Sequence, residues 1–587
     1  GLDNDCTTSG LGFGQPGVPD YQRYIDAVKQ GLLSEAELDV ALVRMLRIRF
    51  EVGLFDPLES VKAARVADSD FDSPAHRDLA LTLARKSMVL LKNDGLLPFA
   101  KAPAKIAVVG PLADNSRVLL GNYNGYPTRS TTVLAGIQKQ FPQAAVVFEP
   151  GTTYLRPNVP VPTSALSTPT GAPGLKAESF ENAEFTGTAT ETRTDAQVLV
   201  GRDRGAGGAL PDFNALAAAP PAKPTRWTGF LTAPETGTYR LGVEGFGNEM
   251  YLDGKKIVSA GTGFPAPPSI VDIPLVKGKR YAIRIDSTPR RMAATRLVWM
   301  PPSLDVEARA VAAAQAADVV VAVVGITSDL EGEEMGVNQE GFKGGDRTSL
   351  DLPKEQQRLL EAVKRTGKPL VVVVMSGSAM AVNWARQNAN AILQAWYPGE
   401  EGGTAVAQTL DGTNNPAGRL PVTFYTGVDQ LPEFTDYAMA GRTYRYFAGQ
   451  PLFPFGYGLS YTSFAYSDLK LPTTVNAGDP VLAEAQVTNT GAREGDEVVQ
   501  LYLTFPKVPG APLRALRGFT RVHLKPGEKQ VVRFSLSDRD LSHVSVDGIH
   551  LITTGRYGIS IGGGQPDTGA PTVAGAFDIK GERTLPR

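Results

Sequence analysis

Five short, nearly continuous apolar runs constrain this chain most: Ile106–Gly110, Ala145–Phe148, Val319–Gly325, Leu370–Met375 and Ala391–Ala395. A strand with one wet face alternates apolar and polar residues, whereas these do not, so both faces must be covered. Helical patterns separate the runs, as near Thr132–Phe141, and the alternation predicts a parallel sheet layered between helices. A helix is expected over about His76–Lys92, ahead of the first run.

The sheet is interrupted in sequence. Within residues 175–302, Trp227–Thr232, Gly237–Val243, Met250–Gly254 and Arg280–Ile285 alternate apolar and polar residues, and Asp253-Gly254 is a hairpin signal. So long a stretch is not a structureless loop inside a compact domain, so an inserted β-sandwich or barrel module is expected. Alternation resumes after about Ser463 between turn clusters such as Asn489-Thr-Gly491 and Lys525-Pro-Gly527, predicting a C-terminal β-sandwich. At the other end, Ser34 and Glu37 have capping-box spacing. Leu38, Ala41, Leu42, Met45, Leu46 and Ile48 then follow helical spacing, predicting a helix from about Glu35 that stops at Gly53. It has too little chain before it to cover its apolar face.

The 59 Lys plus Arg against 61 Asp plus Glu leave a net charge of -2, which provides no bulk field for nucleic acid or anionic membrane and suits a neutral substrate. No run reaches the roughly 20 apolar residues of a membrane span. The one cysteine, Cys6, forms neither an intrachain disulfide nor a thiolate metal site and reads as a small buried hydrophobe. The sequence opens on Gly1 without a basic flank and apolar segment, so it is silent on export.

Chemistry concentrates after Val319–Gly325, in Asp329-Leu-Glu331-Gly-Glu333-Glu334 and onward through Glu340 to Asp346-Arg347. Ligand crevices of α/β sheets lie beyond the carboxyl ends of the strands, where this loop must emerge. Crowded glutamates repel one another, and the repulsion raises the pKa of some, as a general acid requires. A solvated acidic loop fits the same residues; a calcium site fits less well, because EF-hand spacing is absent. His76, His523, His543 and His550 are scattered, and Ser376-Gly-Ser378 lacks the spacing of a nucleophile elbow. Gly562-Gly-Gly564 is a turn, and Pro398-Gly-Glu-Glu opens a helix. Trp384, Trp396 and Tyr397 read as core aromatics or sugar platforms.

Several segments together resemble glycoside hydrolase family 3, the β-glucosidase and β-xylosidase family. Asn414–Phe424 and Pro451–Tyr461 are near-verbatim matches, and Lys92–Pro98 resembles the entry to that family's α/β sandwich domain. Gly53–Pro57 resembles its exit from the catalytic barrel, and Gly1–Cys6 a late barrel segment. Gly174–Phe180 and Arg226-Trp-Thr-Gly resemble a protective-antigen-type carbohydrate-binding module, and the tail resembles a fibronectin type III-like domain. The resemblance implies a barrel remnant at 1–57 and an α/β sandwich domain split into 58–174 and 303–436. It further implies an inserted module at 175–302, a linker at 437–465 and an immunoglobulin-like sandwich at 466–587.

The family uses a retaining mechanism, in which a barrel aspartate attacks the anomeric carbon and a glutamate of the sandwich domain protonates the leaving oxygen. The resemblance puts that glutamate a few residues beyond the central strand. Counting on from Val324 reaches Glu331 as first choice for the acid/base, with Glu334 and Glu333 as alternatives and Glu340 last. Asp346 and Arg347 match the family's Asp-Arg pair and are expected to brace the loop by an ion pair. No segment matches the nucleophile, and Ser328-Asp329 lies in the wrong domain for it. The expectation is therefore a C-terminal portion whose barrel must be supplied in cis or in trans.

Leu120–Gly125, Ser376–Trp384 and Gly441–Phe447 resemble the xylosidase and arabinosidase branch. The function implied is an exo-acting β-xylosidase releasing β-linked xylose from xylo-oligosaccharides, with no metal and no cofactor. The alternatives are a β-glucosidase, or a non-catalytic carbohydrate-binding assembly for these residues alone. The implied partner is a β-linked oligosaccharide; homodimerisation stays open, and a periplasmic or secreted location follows from the resemblance.

Overall fold

The computed structural model describes residues 20–125, 127–152, 159–200, 223–244, 247–259, 269–288, 295–302, 306–333 and 337–586. The chain divides into two units, Gly1–His76 and Arg77–Arg587. In the first, a helix spans Glu35–Glu51 behind a complete capping box between Ser34 and Glu37. Gly53 beyond it has φ +75°, the left-handed conformation that ends helices. No side chain of this helix is buried. Cys6 and the segment Gly1–Cys6 lie outside the described residues.

The second unit is organised on a six-stranded sheet: β1 (Val89–Asn93), β2 (Lys105–Val109), β3 (Ala145–Glu149), β4 (Val319–Gly325), β5 (Leu370–Met375) and β6 (Ala391–Gln394). Its order is β1-β6-β5-β4-β2-β3, parallel except for β1. All seven residues of β4 are buried, and they alternate between two cores. Val320, Ala322 and Val324 pack with helices Val306–Ala316 and Lys354–Lys364. Val319, Val321 and Val323 pack with helices Val133–Gln140 and Gly402–Asp411. The unbroken apolar run thus follows from helices on both faces.

Three expectations change. The first helix runs over Pro74–Ser87 and stops before Lys92. Leu90 and Lys92 extend instead to pair with β6, because Val89, Leu90 and Leu91 are buried between the two cores and the sheet. The inserted layer begins before residue 175: Val159-Pro160 pairs with Val298-Trp299, and Leu166 pairs with Leu231. The stretch 437–465 is not a free linker. Leu452 and Phe453 are buried, and the Leu459 amide donates to Leu90 O at 2.8 Å, so its apolar residues strap it to the β1 edge.

The inserted layer consists of a seven-stranded and a five-stranded sheet around Trp227, Tyr239, Met250 and Trp299. Asp253 (φ +46°) and Gly254 (φ +79°) form its expected hairpin turn. The C-terminal sandwich packs Phe464–Lys470, Val481–Asn489 and Lys529–Leu536 against a five-stranded sheet that contains Gly495–Thr504 and Gly555–Gly562. No helix among the described residues is long and apolar enough to cross a membrane.

Candidate active site

The loops leaving the carboxyl ends of β2, β4, β5 and β6 converge on Glu331. Gly325 ends β4 with φ +139°, and a Cβ there would lie 1.8 Å from Met375 O, so only glycine lets β4 and β5 finish this close. Gln356, fully buried, closes the strand end: its Oε1 accepts from the Gly325 amide at 2.7 Å and its Nε2 donates to Gly325 O at 2.9 Å. The chain then turns through Thr327–Glu333.

Glu331 is half-buried, and its carboxylate accepts from two neighbouring loops. The Tyr397 hydroxyl, beyond β6, donates to Oε1 at 2.6 Å, and the Gly377 amide, beyond β5, donates to the same atom at 3.0 Å. The Ser378 hydroxyl donates to Oε2 at 2.8 Å. Asn122, beyond β2, donates through Nδ2 to the Glu331 carbonyl at 2.7 Å. These three donors, from the loops after β5 and β6, fix both oxygens of the Glu331 side chain in place.

Glu333, two residues on, is exposed. Its carboxylate accepts from the Tyr123 hydroxyl, and that contact holds the Tyr123 phenol above its ordinary pKa range. Glu334 lies outside the described residues. Glu340 is exposed and pairs with Lys354. Asp329 pairs with Arg117 at 3.0 Å.

The expected Asp346–Arg347 ion pair does not form. The two residues occupy a two-residue strand, where neighbours point to opposite faces. Asp346 faces solvent and has no ion pair among the described residues. Arg347 turns inward and donates to Ser378 Oγ at 3.0 Å, Ala379 O at 2.6 Å and Ser349 O at 3.1 Å. It braces the Ser376–Ser378 turn that holds Glu331.

Of the aromatic candidates, Trp396 is a core residue: its Nε1 donates to Ser87 O at 3.2 Å, and its ring meets Phe424 edge-on at 6.0 Å. Trp384 packs on the same core. Tyr397 alone reaches the acidic loop. Asn122 and Tyr123 as carboxylate-loop partners were not legible in the sequence; their signal there is only the resemblance of Leu120–Gly125 to the xylosidase and arabinosidase branch. Among the described residues no group of three metal-ligating side chains gathers.

Residues 88–461 match the family profile of the glycosyl hydrolase family 3 C-terminal domain. The chain belongs to glycosyl hydrolase family 3. Residues 497–565 match a fibronectin type III-like domain, which accounts for the C-terminal sandwich. A xylan 1,4-β-xylosidase of Xylanibacter ruminicola is 36% identical over 96% of the chain and 64% of its own length. A periplasmic β-glucosidase of Salmonella typhimurium is 32% identical over 92% of the chain and 56% of its own. Among solved structures, the β-glucosidase of Kluyveromyces marxianus in complex with glucose superposes with a TM-score of 0.68 at 25% identity, covering 97% of the chain and 70% of that protein. The family 3 chain described here therefore spans about 56 to 64% of these curated relatives.

Proposed function

We propose that this chain supplies the proton-donating half of a retaining β-glycosidase site, the nucleophilic aspartate coming from a barrel domain. One observation carries the reading: two glutamates on one turn at the carboxyl ends of the parallel strands have opposite surroundings. Both oxygens of Glu331 are engaged by three donors of the neighbouring loops, which ties its side chain into the fold. Glu333 is presented to solvent, with the Tyr123 phenol as its one partner among the described residues. We assign Glu333 the acid/base role and Glu331 the role of loop anchor, which reverses the order that counting from Val324 suggests.

In the first step, Glu333 protonates the glycosidic oxygen as the barrel aspartate attacks the anomeric carbon. In the second, it removes a proton from the water that hydrolyses the glycosyl-enzyme. The two carboxyl groups would stand about 5 Å apart in the complete site.

We further propose a β-xyloside as substrate, supported by the similarity to a xylan 1,4-β-xylosidase. The inserted layer is read as a protective-antigen-type carbohydrate-binding module, and residues 1–57 as the end of the barrel. The periplasmic relative supports a periplasmic or secreted location.

The test uses the protein carrying its barrel, assayed on nitrophenyl β-xyloside, β-glucoside and an alkyl xyloside. Glu333→Gln should lower kcat on the alkyl xyloside by about 10²–10⁴-fold, with far less loss on a dinitrophenyl xyloside, whose leaving group needs no proton. The same leaving-group dependence in Glu331→Gln, with Glu333→Gln fully active, would restore Glu331 as the acid. Faster turnover of the glucoside than of the xyloside would overturn the choice of sugar.

A further inference from the structure

At the opposite end of the central sheet from Glu331, where β6 begins and β1 ends, a cleft of about 380 Å³ opens between β1, the helix Asn383–Asn388, the strap 450–459 and the C-terminal sandwich. Its size falls within the roughly 300–1,000 Å³ range of small-molecule sites. The floor is apolar: Phe453 and Tyr457 stack with ring centroids 5.4 Å apart, and the Tyr457 hydroxyl is tied to Leu91 O at 3.2 Å. Thr568 closes the far wall from the sandwich, its hydroxyl donating to Gln565 O at 2.6 Å and keeping its lone pairs free to accept.

Three charged side chains line the cleft. Lys92 and Asp94 neutralise each other at 3.2 Å. Arg386 lies with its guanidinium carbon 5.3 Å from the Phe453 ring centre and makes no ion pair or side-chain hydrogen bond among the described residues. A planar donor fork is thus laid on an aromatic face beside an apolar floor and carries a charge that no described residue compensates. A guanidinium in that setting suits a carboxylate, which it can grip with two parallel hydrogen bonds. The half-buried Tyr457 ring beside it suits the C–H face of a sugar ring.

We propose that this cleft binds a monosaccharide-sized sugar acid, a uronate, with its carboxylate on Arg386 and its ring against the half-buried Tyr457. The site is separate from the acidic loop and does not depend on which glutamate there donates a proton. The single net charge matches a monoanion. The walls come from both the α/β domain and the sandwich, so an occupant would touch both.

The experiment is calorimetric titration of the chain with D-glucuronate, D-glucose, acetate and inorganic phosphate. Saturable binding of D-glucuronate is expected, with D-glucose and acetate each at least about tenfold weaker, because each lacks one of the two contacts. Arg386→Gln should weaken D-glucuronate by about tenfold or more, while Arg386→Lys retains part of the affinity; Arg386 is exposed, so either variant should fold. Glu333→Gln should leave this binding unchanged. Equal binding of D-glucose would overturn the charge argument, and equal binding of acetate or phosphate would reduce the cleft to a simple anion site. No saturable binding, or binding indifferent to Arg386→Gln, would overturn the proposal outright.

Discussion

The Tyr397 hydroxyl donates to the Glu331 carboxylate at 2.6 Å, joining the loop after β6 to the loop after β4 across the strand between them. Gly377, after β5, donates its amide to the same oxygen, so one carboxylate atom ties three consecutive strand ends together. Asn122 adds a fourth strand end through the Glu331 carbonyl. What this knot fixes is the direction in which the chain leaves residue 331, and hence the position of Glu333.

Gly377→Ala tests that knot. A Cβ at residue 377 would lie 2.8 Å from Glu331 Oε1 and 2.8 Å from the Tyr397 ring, so both must move. Misplacing a reacting group by an ångström costs on the order of 100-fold in rate. In the barrel-containing protein, kcat on alkyl xylosides should fall by about 10–100-fold with a smaller change on dinitrophenyl xyloside, and Gly377→Ala activity equal to the parent would show that the knot does not position the acid.

Much of this was legible in the sequence, for identifiable reasons. Val319–Gly325 could be read as a doubly covered strand because an apolar run without period leaves no wet face. Ser34 and Glu37 announced their helix because a capping box is local. Val89–Asn93 was absorbed into the preceding helix because its pairing with β6 is nonlocal and its leucines suit either period. The burial of Leu452 and Phe453 in the strap depends on a sheet edge formed elsewhere, which local spacing does not reveal. Tyr397 and Asn122 lie 66 and 209 residues from Glu331, a distance over which only the folded sheet, not spacing, brings side chains together.

Gln356→Leu should destabilise the end of β4. Leucine fits the volume but leaves the Gly325 amide and carbonyl buried without partners, at about 1–3 kcal/mol for each group. Hydrogen exchange should show the Gly325 amide opening about 2–6 kcal/mol more readily than in the parent, with strands of the C-terminal sandwich unaffected; unchanged protection would mean that another group takes over.

His543 gives the C-terminal sandwich an acid sensitivity. It is 3% exposed, its ring lies 6.0 Å from Phe505, and its Nδ1 has no partner among the described residues. Burial pushes its pKa below the ordinary value, so the folded chain refuses a proton that the unfolded chain accepts below about pH 6.5. The stability that His543 contributes is thus complete above pH 6.5 and is lost as pH falls through its folded pKa. His543→Phe should flatten the decline of Tm between pH 7 and 5; parallel profiles for the two proteins would show that His543 is not held neutral.

Arg419 and Glu497 join the α/β domain to the sandwich through a pair that is 9% and 3% exposed, with nitrogen and oxygen 2.9 Å apart. Tyr466 donates to the other Glu497 oxygen at 2.9 Å, and Arg419 also donates to Gly563 O at 3.3 Å. Burial raises the Glu497 pKa, and Arg419 pulls it back down. Arg419→Met therefore strands a carboxylate in a dry interface, at about 3–5 kcal/mol near neutral pH. A raised carboxyl pKa makes native stability fall as pH rises through it, so this deficit should shrink as pH falls and Glu497 takes up a proton. Adding Glu497→Gln to Arg419→Met should recover much of the loss, because the amide needs no counter-charge. Hydrogen exchange of Gly495–Thr504 in the four proteins of the cycle measures the coupling directly. Additive single and double variants would mean that Arg419 holds the interface through Gly563 alone.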